Sequence, residues 1–111
     1  MFEERERSFE AKFQHDQALR FRVHARRNKL FGLWVARKLQ RTGAEAHRYA
    51  LDLVTDLDLQ RDEALVAKVA GDLRRGGNAL PDGEIAKALI AAANQATTIV
   101  LGRGAKAEPV L

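Results

Sequence analysis

The chain of 111 residues contains no cysteine and only two prolines, Pro81 and Pro109. Without thiols it forms no disulfide and no thiolate nucleophile, which fits a reducing compartment. The longest uninterrupted apolar run is residues 30–36, so the sequence predicts no bilayer-spanning segment. The N-terminus is charged from Glu3 onward and lacks an apolar signal region. We therefore expect no secretory signal, and a soluble, cytoplasmic protein.

Residues that carry enzymatic chemistry are also scarce. Ser8 is the only serine, so we expect no catalytic serine triad. The chain has three histidines, His15, His24 and His47. They are not spaced at i, i+3 or i, i+4 and no carboxylate cluster accompanies them, so we expect surface histidines and no metal site. The glycines at 76–77 and 102–104 lack the strand and the Lys-Ser/Thr of a phosphate loop. The sequence predicts neither an enzyme nor a bound cofactor.

The charges are distributed unevenly along the chain. Residues 1–18 hold five acids and three bases, and residues 42–111 hold ten acids and eight bases. Residues 19–41 hold eight bases and no acid. These bases are Arg20, Arg22, Arg26, Arg27, Lys29, Arg37, Lys38 and Arg41. Such a block suits phosphates or an acidic protein surface, and it equally suits the solvated side of a helix whose carbon stems cover the core.

The pattern of apolar residues predicts four helices and no strand. The predicted helices run from Phe2 or Ser8 to Gln40, from the Thr42–Glu45 capping box to Leu57, from an Asp62 N-cap to Gly76-Gly77, and from Pro81-Asp82 to residue 101. The predicted buried stripes are Ala46, Tyr49, Ala50, Leu53, Val54 and Leu57 in the second helix, Leu65, Val66, Val69 and Leu73 in the third, and Ile85, Leu89, Ala92, Ala93, Ala96 and Ile99 in the fourth. Short connections favour neighbours packed as antiparallel pairs, hence an all-α four-helix bundle with a long first helix.

The first helix has two parts with different apolar patterns. Residues 30–39 are apolar nearly all round, which is typical of a central helix, and Trp34 is its predicted largest anchor. Phe2, Phe9 and Phe13 instead form a narrow seam, at a seven-then-four spacing, on a strongly charged segment. In a straight helix this seam would overhang the bundle, so its packing partner is an open question.

The run FEERERSFEAKFQHDQALRFRVHARRNKLFGLW, the VARKL that follows, Tyr49 and KVAGDL at 68–73 resemble the zeta subunit of alphaproteobacterial F-type ATP synthases, a small ATPase inhibitor. The resemblance covers about residues 2–96, and ARRNKLFGLW is its most specific part. It implies a four-helix bundle (19–101) with a mobile N-terminal arm (1–18) that becomes helical on insertion into the catalytic head. The chain departs from the pattern at Gln40-Arg41, where relatives tend to carry Gly, and in a tail after Ala96 that is longer than expected. Residues 102–111 have turn formers and no periodicity, so we expect them to be disordered.

The resemblance also implies which residues bind the partner. The seam of Phe2, Phe9 and Phe13 would pack into a cleft between a catalytic and a non-catalytic subunit, beside the central stalk. Ion pairs would form around the seam through Glu3, Glu4, Arg5, Glu6, Arg7, Glu10 and Lys12. The protein would then stop the synthase from running backward as a hydrolase, and it would be peripheral to the inner membrane through the synthase, with no membrane insertion of its own.

Three alternatives stay open at this point. The phenylalanine seam would also serve to extend the protein's own core or to form a coiled-coil dimer. The basic segment 20–29 suits a nucleic-acid-binding module, although it contains no recognised motif, Phe21 and Phe31 are predicted to face the core, and the acidic arm would repel a phosphate backbone. A regulatory bundle that senses adenine nucleotide weakly, with phosphates on arginines and lysines of the first helix, is the third; the sequence does not select its residues.

Overall fold

The computed structural model describes the backbone of residues 2–105 and the side chains of residues 15–102. The elements are α1 (Phe2–Lys38), α2 (Gly43–Thr55), a 3-10 turn (Leu57–Leu59), α3 (Asp62–Arg75) and α4 (Asp82–Ala105). No strand occurs in residues 2–105. The predicted all-α fold is confirmed.

The helices alternate in direction around α1, which packs mainly against α2 and α4. At one end, Arg27 of α1 binds Asp62 at the start of α3. At the other end, the Asn78 side-chain amide, just after α3, donates to the Lys38 carbonyl. α1 and α3 therefore run in the same direction and α2 and α4 return between them. This is the predicted four-helix bundle with a long first helix.

The core is built around Phe31, the largest fully buried side chain. The other fully or nearly fully buried apolar residues include Val35, Ala36, Ala50, Leu53, Leu65, Val69, Leu73, Ile85, Ala96 and Val100. Trp34 is only partly buried: its ring stacks on Phe31 at 6.1 Å between centroids, and the Lys38 ammonium lies 5.5 Å from its ring. The prediction that Trp34 is the main anchor is therefore wrong, and Phe31 takes that position.

The predicted stripes are buried where the helix boundaries are right. In α2 the stripe is buried at Ala46, Tyr49, Ala50 and Leu53. Leu57, predicted to be buried, is 86% exposed because α2 ends at Thr55 and the 3-10 turn redirects the chain, so that Leu59 reaches the core instead. In α3 and α4 the interior positions are buried as predicted at Leu65, Val69, Leu73, Ile85, Leu89, Ala92 and Ala96, while Val66, Ala93 and Ile99 are half-buried.

The end of α1 places a glutamine in a conformation that glycine usually adopts. Gln40 has φ 61°, in the left-handed region that favours glycine. Its amide donates to the Arg37 carbonyl (3.0 Å) and the Arg41 amide donates to the Ala36 carbonyl (2.8 Å). This pair of bonds is a Schellman motif with glutamine at the position where glycine is usual.

The end of α3 uses the same motif with glycine in place. Gly77 has φ 79° and its amide donates to the Arg74 carbonyl at 3.1 Å. The Asn78 amide donates to the Leu73 carbonyl at 2.8 Å. The Gly76-Gly77 stop signal is therefore confirmed, with Gly77 as the left-handed residue.

The predicted N-cap is right in position at Thr42, without its side-chain hydrogen bond, and wrong at Asp62. Thr42 precedes α2 in extended conformation, but its side chain makes no capping hydrogen bond. Asp62 is the first residue of α3 rather than its cap, and Arg61 takes the cap position. The Asp62 carboxylate is bound instead by the Arg27 guanidinium, with nitrogen–oxygen distances of 2.9 and 3.3 Å.

α4 continues to Ala105, beyond the predicted end of the bundle, and residues 106–111 of the predicted tail lie outside the described residues. Segment Asp82–Gly102 has a mean hydropathy of 1.3 and is long and apolar enough to cross a membrane, by length and composition only. The search for an uninterrupted apolar run did not find this segment, because polar residues interrupt it. In the bundle, its stripe of Ile85, Leu89 and Ala96 is buried.

Candidate functional site

The ten residues predicted to bind a partner all lie in the first third of α1, which is unbroken from Phe2 to Lys38. Continuous helical backbone places Phe2, Phe9 and Phe13 along one face, at the spacing that the sequence indicated. The side chains of these residues, and of the seven charged residues around them, lie outside the described side chains. Their role in partner binding stays a prediction.

The described side chains of α1 start at His15, and their burial increases toward the C-terminal half of the helix. The four side chains from His15 to Ala18 are exposed, Leu19 is the first half-buried one, and Asn28 is the first buried one in the described part of the chain. Seventeen helical residues precede Leu19, which corresponds to about 25 Å at 1.5 Å per residue. The molecule accordingly measures 63 Å along its long axis and only 27 and 21 Å across it.

Polar contacts fix the part of α1 where burial begins to the start of α3. Arg27, whose side chain is 12% exposed, binds Asp62 and also donates from Nε to Asn28 Oδ1 at 3.0 Å. His24 Nε2 lies 3.2 Å from Gln60 Oε1 and 3.4 Å from Asn28 Nδ2. His24 is therefore half-buried and hydrogen-bonded, so the prediction of a surface histidine is wrong for this position. His15 and His47 are exposed as predicted.

The basic segment 19–41 does not present one continuous cationic surface. Arg27 is bound to Asp62, Lys38 lies over the Trp34 ring, and the Arg41 guanidinium lies 5.3 Å from the centre of the Tyr49 ring. These contacts engage three of the eight bases, and those of Arg27 and Arg41 link different elements of the bundle. Within residues 15–102, no group of three side chains is arranged to hold a metal ion.

Three other bases line a groove of about 430 Å³, which we call the basic groove. Its lining is Phe21, Arg22, Ala25, Arg26 and Lys29 of α1, His47, Leu51 and Val54 of α2, and Val100 of α4. Phe21 is 74% exposed and Leu51 is 59% exposed. Phe21 was predicted to face the core, and that prediction is wrong. This site was not predicted from the sequence. Residues 21, 25 and 29 share one face of α1, and residues 47, 51 and 54 share one face of α2, so the spacing held a signal.

A polar cluster joins α2 to α3 on another side of the bundle. The Tyr49 hydroxyl donates to Asp72 Oδ2 at 2.7 Å, Lys68 Nζ lies 3.1 Å from the same oxygen, and Arg75 binds Oδ1. Burial tends to raise the pKa of Asp72, but the hydrogen bonds from Tyr49, Lys68 and Arg75 outweigh it and hold that pKa below its usual value.

Burial, together with the hydrogen bond to the anionic Asp72, raises the pKa of the Tyr49 hydroxyl far above its usual value. Tyr49 therefore acts as a donor and the cluster as a structural tie. The i, i+4 spacing of Lys68 and Asp72 was the available sequence signal for half of it.

The chain matches a known protein family over most of its length. A family model described as ATPase inhibitor subunit zeta matches residues 1–98. The chain belongs to the ATPase inhibitor subunit zeta family. The resemblance found in the sequence is thus confirmed, and the match to the zeta model includes the whole predicted arm, whereas residues 99–111 lie beyond it. No curated protein sequence and no solved structure matches this chain.

Proposed function

We propose that this zeta-family chain inhibits ATP hydrolysis by an F-type ATP synthase by inserting residues 1–18 as a helix between a catalytic and a non-catalytic subunit. The observation that supports the proposal is the unbroken helix from Phe2 into the bundle, whose first described side chains, His15 to Ala18, are exposed, and in which Leu19 is the first half-buried one among those described. The seventeen helical residues that precede Leu19 span about 25 Å, which is long enough to enter a cleft in another protein.

The apolar side chains of the arm can supply binding free energy for such an insertion. Burial of Phe2, Phe9 and Phe13 in a partner contributes about 1.5 to 3 kcal/mol for each side chain, before the costs of association are subtracted. The backbone of residues 2–18 is already helical, whereas the resemblance implied an arm that becomes helical on insertion. A helical segment loses less conformational entropy on binding than an unfolded one, so more of this gain is kept. The flanking acids and bases would pair with charges at the cleft.

The bundle limits how far the arm enters. A single helix with its side chains is about 10–12 Å wide, whereas the molecule is 27 by 21 Å across. A cleft that admits the arm therefore stops at the bundle. By its family, the bundle acts as a regulatory subunit of the synthase rather than as an enzyme, and we place it in the cytoplasm, peripheral to the inner membrane. Inhibition should be confined to the hydrolytic direction of rotation.

A truncation tests the proposal. The full chain and a variant lacking residues 1–14 are compared in an ATP-hydrolysis assay on the cognate catalytic head. The full chain should inhibit and the truncated chain should not, and the double variant Phe9→Ala/Phe13→Ala should fall between them. Leu57→Ala is the matched control, because it removes an apolar side chain that is 86% exposed on the bundle. Equal inhibition by full and truncated chains would disprove the mechanism.

The structure favours the inhibitor over a nucleic-acid-binding module. Exposure of Phe21 removes one argument against nucleic acid. However, Arg27 is bound to Asp62, and Lys38 and Arg41 lie against the Trp34 and Tyr49 rings, so the cationic surface that a phosphate backbone would follow is interrupted.

A further inference from the structure

We propose that the basic groove is a second docking surface, which binds an acidic amphipathic helix of the same partner that receives the arm. This inference rests on the proposed function, because it assumes that the arm and the groove meet one partner. It adds an interface on the bundle itself, where none of the ten residues predicted to bind a partner is located.

The floor of the groove is apolar and incompletely covered. This floor is formed by Ala25 of α1, Val54 of α2 and Val100 of α4. The large side chains of Phe21 and Leu51, on α1 and α2, stay more than half exposed. Two roughly aligned helices with apolar residues at i, i+4 spacing leave a channel between them that suits a third helix. Apolar anchors of such a helix would cover Phe21 and Leu51.

The rim of the groove specifies the charge of the occupant. Arg22, Arg26 and Lys29 follow one side of α1 along the channel, and none of the nine lining residues is acidic. Within residues 15–102, none of these three bases takes part in an ion pair. Carboxylates flanking the apolar anchors of the incoming helix would meet these cations, which adds specificity and speeds association.

The position of the groove connects it to the arm. Phe21 comes three residues after the end of the arm, about 4.5 Å further along the same helix. A partner that encloses α1 up to residue 18 therefore reaches the mouth of the groove without any rearrangement of the bundle. Docking there would hold the bundle against the partner while the arm is inside.

The lining favours a protein segment over a small polar ligand. Its polar side chains are Arg22, Arg26, Lys29 and His47, and it contains no Ser, Thr, Asn, Gln, Asp or Glu side chain. Sites for small ligands place a few polar groups to fix the orientation of the ligand. Here the cations can bind a carboxylate or a phosphate. No side-chain amide or hydroxyl is present in the lining to form hydrogen bonds with a nucleobase.

The test measures binding of full-length variants to the purified catalytic head of the cognate synthase. Leu51→Ala truncates the floor and is matched by Ile90→Ala, which removes an apolar side chain that is 61% exposed on α4 and outside the groove. Arg26→Glu reverses a rim charge and is matched by Lys87→Glu, an exposed position with the same change in charge. Leu51→Ala should weaken binding roughly fivefold and Arg26→Glu about tenfold or more, whereas both controls stay within about twofold.

The outcomes separate this inference from the proposed function. If both groove variants bind like the unmodified chain while deletion of residues 1–14 abolishes inhibition, the docking surface is wrong and the arm mechanism stands. If the groove variants weaken binding while the deletion still inhibits, the arm mechanism is wrong and the groove is the main contact. If Mg-ATP shifts the NMR signals of Leu51 and Val54 in the free protein and Arg26→Glu removes only that response, the groove is a nucleotide site and the inference is overturned.

Discussion

Gly32 of α1 lies directly against Ala50 of α2, so closely that a Cβ added at Gly32 would be 2.7 Å from the Ala50 Cα and 3.1 Å from Leu53 Cδ1. The neighbour is backbone inside a buried helix, which cannot move aside cheaply. This contact sets the distance between α1 and α2, and with it the width of the basic groove further along the same two helices.

Gly32→Ala should therefore destabilise the protein although alanine is the better helix former. Overpacking of this kind costs about 1 to 3 kcal/mol, and the helix-propensity gain offsets up to about 1 kcal/mol of it. Urea unfolding would measure the change. Gly83→Ala is the control, since a Cβ at Gly83 meets no atom within 4 Å; if both variants were equally stable, the close approach would be absent.

Gln40→Gly should stabilise the protein. Gln40 holds the left-handed conformation with φ 61°, which costs a residue with a Cβ about 1 kcal/mol relative to glycine. The expected gain is about 1 kcal/mol, which for a domain of this size raises Tm by about 4 to 8 °C.

The matched variant for Gln40→Gly is Gln40→Ala, which keeps the Cβ and should give no such gain. The converse change, Gly77→Ala, introduces a Cβ at φ 79° at the end of α3 and should lower Tm. A Tm for Gln40→Gly below that of the unmodified chain would contradict the assigned Schellman motif.

Phe31→Ala should destabilise the bundle more than Trp34→Ala. Phe31 is fully buried, and its truncation is expected to cost about 3 to 5 kcal/mol. Trp34 is only partly buried and packs on the side of Phe31, so its loss should cost clearly less, although its side chain is larger. Thermal unfolding of the two variants gives the order directly, and the reverse order would restore Trp34 as the anchor.

The Asp72 cluster predicts a specific acid sensitivity. The pKa of Asp72 is lowered in the folded state, so its carboxylate contributes stability above its unfolded pKa and loses that contribution as pH falls through the folded one. The difference in unfolding free energy between the unmodified chain and Asp72→Asn should be constant above about pH 5 and shrink below about pH 4. Tyr49→Phe removes one donor and should reduce the same component. A difference independent of pH from 7 to 3 would contradict the assignment.

The sequence predicted the helices well and their ends less well, for reasons visible at single residues. Gly77 stops α3 by its own backbone preference, which is a local property. Asp62, by contrast, does not cap α3, because its carboxylate is bound by Arg27. Arg27 is 35 residues away in sequence, so this contact exists only in the folded chain. Leu57 was misplaced because the end of α2 came two residues early.

The apolar periodicity also could not predict which side of α1 points into the core. Phe31 and Trp34 both stand in a stretch that is apolar all round, so the pattern could not decide which ring lies in the centre. Of the candidate site, the arm was predicted from the resemblance to the zeta subunit and stays a prediction. The basic groove was missed because it exists only where three helices meet.

The continuity of α1 determines how mechanical load passes through the molecule. No proline or glycine lies in the helix between Phe2 and Phe31, so the sequence has none of these helix-breaking residues to kink the helix between the arm and the core. A force that pulls the arm along its axis is carried by the hydrogen-bonded backbone of one helix to the part clamped between α2 and α4. To yield there, the protein must either slide as a rigid body or break the packing of its core. Resistance to extraction would then be set by the strength of the bundle as much as by the contacts of the arm.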